Sequence, residues 1–304
     1  MQQLLDSIVA KNRKWLENGK VASYIPELAN ADRNILGITV IDENGKIFSA
    51  GDFEYKFTLQ SITKVITLML ALMENGAAKV FENVGMEPTG DPFNSIIRLE
   101  TIKPSKPLNP MINAGAISVV SLLSGNADER INKILSLVHK ITGNKNISVN
   151  EKLYHSENET GNLNRSLAYY MKNYGVIKGN VDEHLEVYFK QSSIEVTSVD
   201  VAKIGVVLAN KGKDIATGEE IIPADIVRIV KTFMVTCGMY NASGEFAINV
   251  GIPSKSGVGG GILSVVPERY GIGVIGPSLD DKGNSIAGVK VLEELSRELN
   301  LSIF

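Results

Sequence analysis

The segments of this chain with strand character lie near its two ends, and the stretch between them has helical spacing. Ile35 to Ile41 is rich in β-branched residues, and Lys46 to Ser49 follows after Asp42-Glu43-Asn44-Gly45, the pattern of a hairpin closed by an Asn-Gly turn. Phe246–Val250, Ile262–Val266 and Gly271–Ile275 read as short strands bounded by Gly or Pro. Sequential strands with short connections usually pair antiparallel. One antiparallel or mixed sheet built from both ends of the chain therefore satisfies all these segments. A helical block must then leave and re-enter that sheet, so the chain cannot divide into two independent consecutive domains.

Helical spacing is strongest at 1–18, with Gly19 as a stop, and at 61–75, with Asn75-Gly76 as a stop. From about 77 to 210 the chain reads as mostly helical, with segments near 114–124, 128–142, 163–173, 182–190 and 198–210. Residues 285–299 form a closing amphipathic helix. The expected organisation is a single catalytic domain over 1–304. Its sheet lobe comes from about 1–60 and 211–304, its helical lobe from about 61–210, and the terminal helices cover one sheet face. The expected class is α/β of the α+β kind.

Composition excludes several functions. The 304 residues are 44% hydrophobic and 21% charged, which is globular and not disordered. A net charge of −3 lacks the basic excess of a nucleic-acid binder. One cysteine, Cys237, and three histidines leave no disulfide framework and little material for a zinc site. The longest apolar run, Val65 to Met73, is too short to span a bilayer, and the charged N-terminus is no secretory signal. A cytoplasmic protein with no membrane or nucleic-acid partner and no metal is expected. No phosphate loop, His-Glu-x-x-His or Gly-x-Ser-x-Gly word occurs. The histidines also lack acid partners in recognisable motifs, so a hydrolase here needs another base.

Ser61-Ile62-Thr63-Lys64 opens the strongest helix. Residues at i and i+3 share a helical face, and a serine at a helix mouth sits beside free backbone N–H groups able to hold an oxyanion. Lys64 continues into a nearly uncharged stretch, where desolvation favours the neutral amine that can take the Ser61 proton. Lowering a lysine to near neutrality costs on the order of 4–5 kcal/mol, so only a buried, supported site carries it. Lys255-Ser256-Gly257 on or beside a late strand completes the layout of penicillin-recognising serine enzymes. That strand would bring a second lysine and a backbone N–H close to the serine. The third expected word has a letter match at Ser124-Gly125-Asn126, but there it ends an apolar helix and reads as an ordinary C-terminal stop.

Longer words extend this pattern almost end to end. They are Tyr24-Ile25-Pro26-Glu27-Leu28-Ala29, Gln60-Ser61-Ile62-Thr63-Lys64 and Asn109-Pro110-Met111-Ile112-Asn113-Ala114-Gly115-Ala116. Ser156-Glu157 with Arg165, Ser193-Ile194-Glu195-Val196-Thr197, Cys237-Gly238-Met239-Tyr240 and Lys255 to Ile262 follow. Over roughly residues 20–295 the chain resembles the bacterial and animal glutaminases, which share the serine β-lactamase-like fold.

The resemblance implies hydrolysis of L-glutamine to L-glutamate and ammonia without a metal or organic cofactor, by a homo-oligomer, a tetramer. Ser61 would be the nucleophile and Lys64 its base. Tyr24, Ser61, Asn113, Glu157, Asn164, Tyr188, Tyr240 and Val258 would line the amino-acid site. Where relatives often read Arg-Asn, this chain has Leu163-Asn164 and keeps the asparagine. Glu157 supplies a charge for the substrate ammonium; asparagines and tyrosine hydroxyls can fix the carboxylate and amide. N–H groups of Ser61 and Val258 would hold the oxyanion, and Tyr240 or Tyr188 would relay a proton to ammonia. Two other readings stay open: a β-lactamase or penicillin-binding peptidase, and a non-catalytic glutamine-binding module on the same fold.

Overall fold

The computed structural model describes residues 1–101 and 106–304. The part of the helical reading that falls on 102–105 lies outside the described residues.

The strands are β1 (Gly37–Asp42), β2 (Ile47–Gly51), β3 (Phe57–Thr58), β4 (Glu195–Val196), β5 (Ser254–Ser256), β6 (Gly261–Val266) and β7 (Tyr270–Ile275). Five form one sheet in the order β2-β1-β7-β6-β5 with every neighbour antiparallel. The central pairing joins the two ends of the chain: Thr39 of β1 stands opposite Gly273 of β7. The β1–β2 turn is built by Asp42, whose carboxylate accepts from the backbone N–H of Asn44 and of Lys46, both at 2.9 Å, with Gly45 at φ +79. β3 and β4 form a separate two-stranded ladder.

The helices are α1 (Gln2–Asn12), α2 (Thr63–Asn83), α3 (Ile97–Thr101), α4 (Asn113–Ser121), α5 (Ala127–Thr142) and α6 (Glu151–Thr160). They continue as α7 (Asn162–Asn173), α8 (Val181–Ser192), α9 (Ser198–Ala209), α10 (Ala224–Cys237), α11 (Ser243–Asn249) and α12 (Ile286–Leu299). Alternation along the strands sends Ile38, Val40, Ile272 and Val274 to one face, where Leu5, Ile8 and Val9 of α1 and Val291, Leu292 and Leu295 of α12 bury them.

The opposite face carries α9. Its backbone lies directly on the sheet: a Cβ at Gly271 would stand 2.0 Å from the Val206 nitrogen, and one at Gly273 would stand 2.1 Å from the Ser198 carbonyl oxygen. Only glycine permits that approach. Thus a helix from within the stretch 61–210 packs on the sheet itself, and the core in which α2, α4, α5, α7 and α8 bury Val65, Leu68, Val120, Ile134, Leu167 and Phe189 continues through α9 to Leu263 and Val265 of β6.

Two local expectations need correction. Phe246–Val250 is not a strand but the end of α11. Phe246 and Val250 are buried one helical turn apart, while Ile248 between them is 86% exposed, a spacing that belongs to period 3.6. Asn75-Gly76 does not end the helical path either. Gly76 takes φ +74 and ψ 160, and the helix resumes at once, so α2 is kinked and runs to Asn83.

Ser124-Gly125-Asn126 lies in a helix–helix turn, where Asn126 caps α5 through a reciprocal capping box with Glu129. His184 accepts at Nδ1 from the Arg130 guanidinium (2.8 Å) and donates from Nε2 to the Lys178 carbonyl (2.6 Å). His139 bonds the Ile147 carbonyl, and His155 is exposed. All three stand in structural or surface positions.

Candidate active site

The Ser61 segment is anchored before it turns. Thr58 pairs with Glu195, and Leu59 N–H donates to the Ile194 carbonyl at 2.9 Å. The chain then passes through Gln60 at φ +47, a left-handed conformation that costs on the order of 1–3 kcal/mol in a residue with a side chain. A single 3₁₀ turn, Gln60–Ile62, leads into α2. Thr63 Oγ1 donates to the Gln60 carbonyl at 2.8 Å and secures the bend. Ser61 therefore sits at the mouth of the helix, 9% exposed, with Lys64 one turn deeper and 3% exposed.

Two hydrogen bonds hold the Lys64 amine. Nζ donates to the Asn113 side-chain oxygen at 2.7 Å and to the Met111 carbonyl at 3.2 Å. It also lies 6.0 Å from the Phe93 ring centroid. Burial lowers its pKa from 10.5 to about 7, with the Glu157 charge acting in the opposite sense. Asn113, first residue of α4, passes the network on: its Nδ2 donates to the Asn164 side-chain oxygen at 3.0 Å.

Glu157 enters from α6, buried at 6% exposure. Burial raises its pKa to about 8, against the hydrogen bond from Gln60 Nε2 (3.5 Å to Oε2) and the field of Lys64. Arg165 Nη2 donates to Asn158 Oδ1 at 2.7 Å and so ties the helix of Glu157 to that of Asn164.

Three tyrosines close the space. Tyr188 on α8 is buried, and burial followed by the fields of Glu157, Tyr24 and Tyr240 raises its pKa well above the ordinary value. Tyr24 is 58% exposed as a residue, yet the crowding around its hydroxyl and then the charges of Tyr240 and Glu157 raise its pKa too. It lines the mouth of the cleft.

Tyr240 is buried on a 3₁₀ turn at φ +54. Burial raises its pKa; the neighbouring Ser61 side chain and Val258 N–H draw it back down. The hydroxyl faces both groups but makes no hydrogen bond of proper geometry. Its ring stacks against Phe93 (centroids 4.6 Å apart) and over Lys255 Nζ (4.4 Å).

Lys255, on β5, is not directed into solvent. It donates to the Gly238 carbonyl at 3.1 Å and the Ser256 carbonyl at 2.6 Å. Burial, reinforced by the Lys64 charge, drives its pKa well below the ordinary lysine value. The following loop presses on the Ser61 segment: a Cβ at Gly257 would stand 2.6 Å from the Leu59 carbonyl oxygen. Val258 belongs to an apolar cluster with Ile25, Leu28, Leu153, Tyr240 and Leu279. An entrance cleft of about 600 Å³, lined by Tyr24, Phe93 and Val258 among others, opens beside it.

All nine expected residues thus converge through direct contacts or mutual fields. Lys255 joins them as the second lysine expected near the serine, and Gln60 and Phe93 join them without having been assigned site roles. Gln60 and Lys255 stood inside the distinctive sequence words; Phe93 had no sequence signal. Among the described residues no group of three His, Cys, Asp or Glu side chains is placed to hold a metal.

An antiparallel sheet joining both chain ends, a helical lobe, and a serine at a helix mouth above a buried amine are the marks of the serine β-lactamase-like class. Within that class the chain belongs to the glutaminase family, whose family model matches residues 19–304. It is 58% identical to a glutaminase of Clostridium botulinum over 305 residues, covering all of both chains. Identity is also 58% to a glutaminase of Clostridioides difficile, over all of this chain and 98% of the relative. Among solved structures it matches the Bacillus subtilis glutaminase in a covalent complex with 5-oxo-L-norleucine, at TM-score 0.90 and 39% identity, covering 100% of this chain and 99% of the other.

Proposed function

We propose that this chain hydrolyses L-glutamine to L-glutamate and ammonia through an acyl-enzyme on Ser61, with no metal or organic cofactor. The observation that carries the reading is Lys64: an amine buried beside the nucleophile's turn and held near neutrality. Neutral Lys64 takes the Ser61 proton as Oγ attacks the side-chain amide carbon. The oxyanion forms between the Ser61 and Val258 N–H groups. Tyr240, whose hydroxyl faces Ser61 and Val258, passes a proton to the amide nitrogen as the C–N bond breaks and ammonia leaves. Tyr188 lies in the field of Glu157 instead and serves the amino-acid end. Lys64 then passes the proton it took from Ser61 to the Tyr240 phenolate, which resets both groups. Water, deprotonated by Lys64, attacks the glutamyl ester, and Lys64 gives that proton to Ser61 Oγ as the ester C–O bond breaks and glutamate departs.

Ionised Glu157 receives the substrate ammonium, while Asn113, Asn164 and Tyr24 orient its polar groups. A β-lactam or cell-wall peptide would leave the buried Glu157 without a partner, which favours a free amino acid. A non-catalytic binding role would not call for the buried Lys64. The Bacillus subtilis relative forms its complex by reaction with 6-diazo-5-oxo-L-norleucine, and the same reagent is expected to add one 5-oxo-norleucine to this chain at Ser61.

The proposal extends to a cytoplasmic homotetramer whose single catalytic unit combines the two lobes; the family likeness supports it, and no described helix is long and apolar enough to cross a membrane. The deciding assay measures ammonia from L-glutamine, D-glutamine and L-asparagine side by side. Release from L-glutamine, lost by at least about 10⁴-fold in Ser61→Ala, is expected. Wild-type turnover in that variant, or no release from L-glutamine, overturns the reading.

A further inference from the structure

Lys255 is a buried amine that the proposed chemistry does not use. Its side chain is 0% exposed and is among the largest to be wholly enclosed. Both of its hydrogen bonds run to backbone carbonyls, of Gly238 and Ser256. Burial and then the like charge of Lys64 both disfavour its ammonium form. A methionine would fill the same space without that cost, so stability does not account for the lysine.

Its two acceptors belong to two different turns. Gly238 follows α10 and leads through Met239 into the 3₁₀ turn of Tyr240. Ser256 ends β5 and leads through Gly257 to Val258. The Val258 side is held independently of the lysine: Ser256 pairs with Ile262 of β6, and the Gly257 N–H donates to the Gly261 carbonyl at 2.9 Å. The Tyr240 side is less constrained. Its backbone is left-handed at φ +54, and its hydroxyl makes no hydrogen bond that would fix it. Placement of that hydroxyl therefore depends on what grips the turn and the ring. Lys255 reaches both. Its Nζ donates at 3.1 Å to the Gly238 carbonyl, which also accepts from the Ser256 N–H at 3.1 Å, and it stands 4.4 Å from the Tyr240 ring centroid. The second bond, 2.6 Å to the Ser256 carbonyl, fixes the same amine to the strand. Only glycine lets the turn come so near, since a Cβ at Gly238 would stand 1.8 Å from the Ser254 carbonyl oxygen.

We propose that Lys255 is a positioning residue: it clamps the turn of Tyr240 to β5 and so places the Tyr240 hydroxyl for proton delivery, without itself touching substrate. The lysine of the Lys-Ser-Gly word is turned inward, away from the cleft, and acts on the chemistry through the tyrosine. The kinetic part rests on the proposed amide hydrolysis with Tyr240 as proton donor; the clamp itself does not.

The test is a double-mutant cycle of Lys255→Met and Tyr240→Phe in the ammonia assay with L-glutamine. Lys255→Met alone should lower kcat by about 10–100-fold, the scale of a small misplacement of a reacting group. KM should stay within about threefold, because Glu157, Asn164 and Tyr188 come from other elements. In the Tyr240→Phe background the same substitution should cost less than about threefold, since the group it places is gone. A second readout is independent of turnover: NMR of the chain carrying tyrosine labelled with ¹³C at Cζ, with the Tyr240 signal assigned by its loss in Tyr240→Phe. In Lys255→Met that signal should broaden or divide, the mark of a ring no longer held in one place, while the other tyrosine signals stay single. Should Lys255→Met not fold, Lys255→Gln, too short to bridge both carbonyls, is read by the same criteria. Wild-type kcat, a loss expressed mainly in KM, an equal loss in both backgrounds, or a single sharp Tyr240 signal overturns the proposal. A wild-type chain that releases no ammonia refutes the hydrolysis, and the NMR measurement then decides the clamp by itself.

Discussion

Lys64 donates to the Asn113 side-chain oxygen at 2.7 Å, and this bond fixes where this buried amine can point. Asn113 is in turn held by Asn164 and by its own backbone N–H, which donates to the Phe93 carbonyl at 2.9 Å. The proposed base is therefore positioned by two helices and one loop segment, and its orientation does not depend on substrate. Burial supplies neutrality and the asparagine supplies aim.

Such a site costs stability. A lysine whose pKa falls from 10.5 in the unfolded chain to about 7 when folded opposes folding by up to about 5 kcal/mol. The unfolded amine is charged below 10.5, and the folded one loses its proton above about 7. The penalty therefore grows as pH falls from 10.5 to 7, and is full below that. Lys64→Met removes it but orphans the Asn113 oxygen, at about 1–3 kcal/mol. The expected outcome is an inactive protein that is more stable by about 1–3 kcal/mol near pH 7, with the gain turning into a loss of about 1–3 kcal/mol above pH 10.5. Denaturant melts of both proteins across that range check it; a variant less stable at pH 7 contradicts it.

The proposed chemistry requires Lys64 without its proton and Glu157 without its own. Their pKa values lie at about 7 and about 8, and the two titrate as a coupled pair. Both requirements favour higher pH, so kcat/KM is expected to rise roughly 100-fold or more between pH 6 and pH 9. The Glu157 charge raises the Lys64 pKa. Glu157→Gln should consequently raise KM and also move the remaining acid limb of kcat to lower pH. A flat profile, or a variant with unchanged KM and an unmoved limb, would place Glu157 outside the site.

Tyr240 offers a cleaner separation of chemistry from folding. Its hydroxyl is buried without a hydrogen bond, while its ring packs on Phe93 and Lys255. Tyr240→Phe keeps the ring contacts and removes only the unpaired oxygen. Thermal stability should be unchanged or higher, with kcat lower by about 10²–10⁴-fold. Normal kcat in a folded variant would transfer the proton relay to another group.

Much of this was legible in residue patterns, because the reactive pair is local: Ser61 and Lys64 are one helical turn apart. The hairpin at Asp42-Glu43-Asn44-Gly45 and the glycine-bounded strands of the C-terminal region announce themselves through turn chemistry. The failures have equally local causes. Phe246–Val250 is too short for period 2 to be told from period 3.6, and only burial of its first and last members shows the helix. Gly76 carries the signal of a stop, but packing beyond it restarts the helix. Three features had no signature at all. They are the left-handed Gln60, the seat of Phe93 against Tyr240, and the approach of α9 to Gly271 and Gly273, all of which depend on distant backbone.

The most direct measurement of the central claim is an NMR titration of the chain carrying ¹³C-labelled lysine, with the Lys64 signal assigned by its loss in Lys64→Met. Its Cε resonance should titrate with a midpoint near 7, far below the surface lysines. A midpoint at or above about 10, the value of a solvated lysine, would show a permanently charged amine and contradict Lys64 as the base for Ser61.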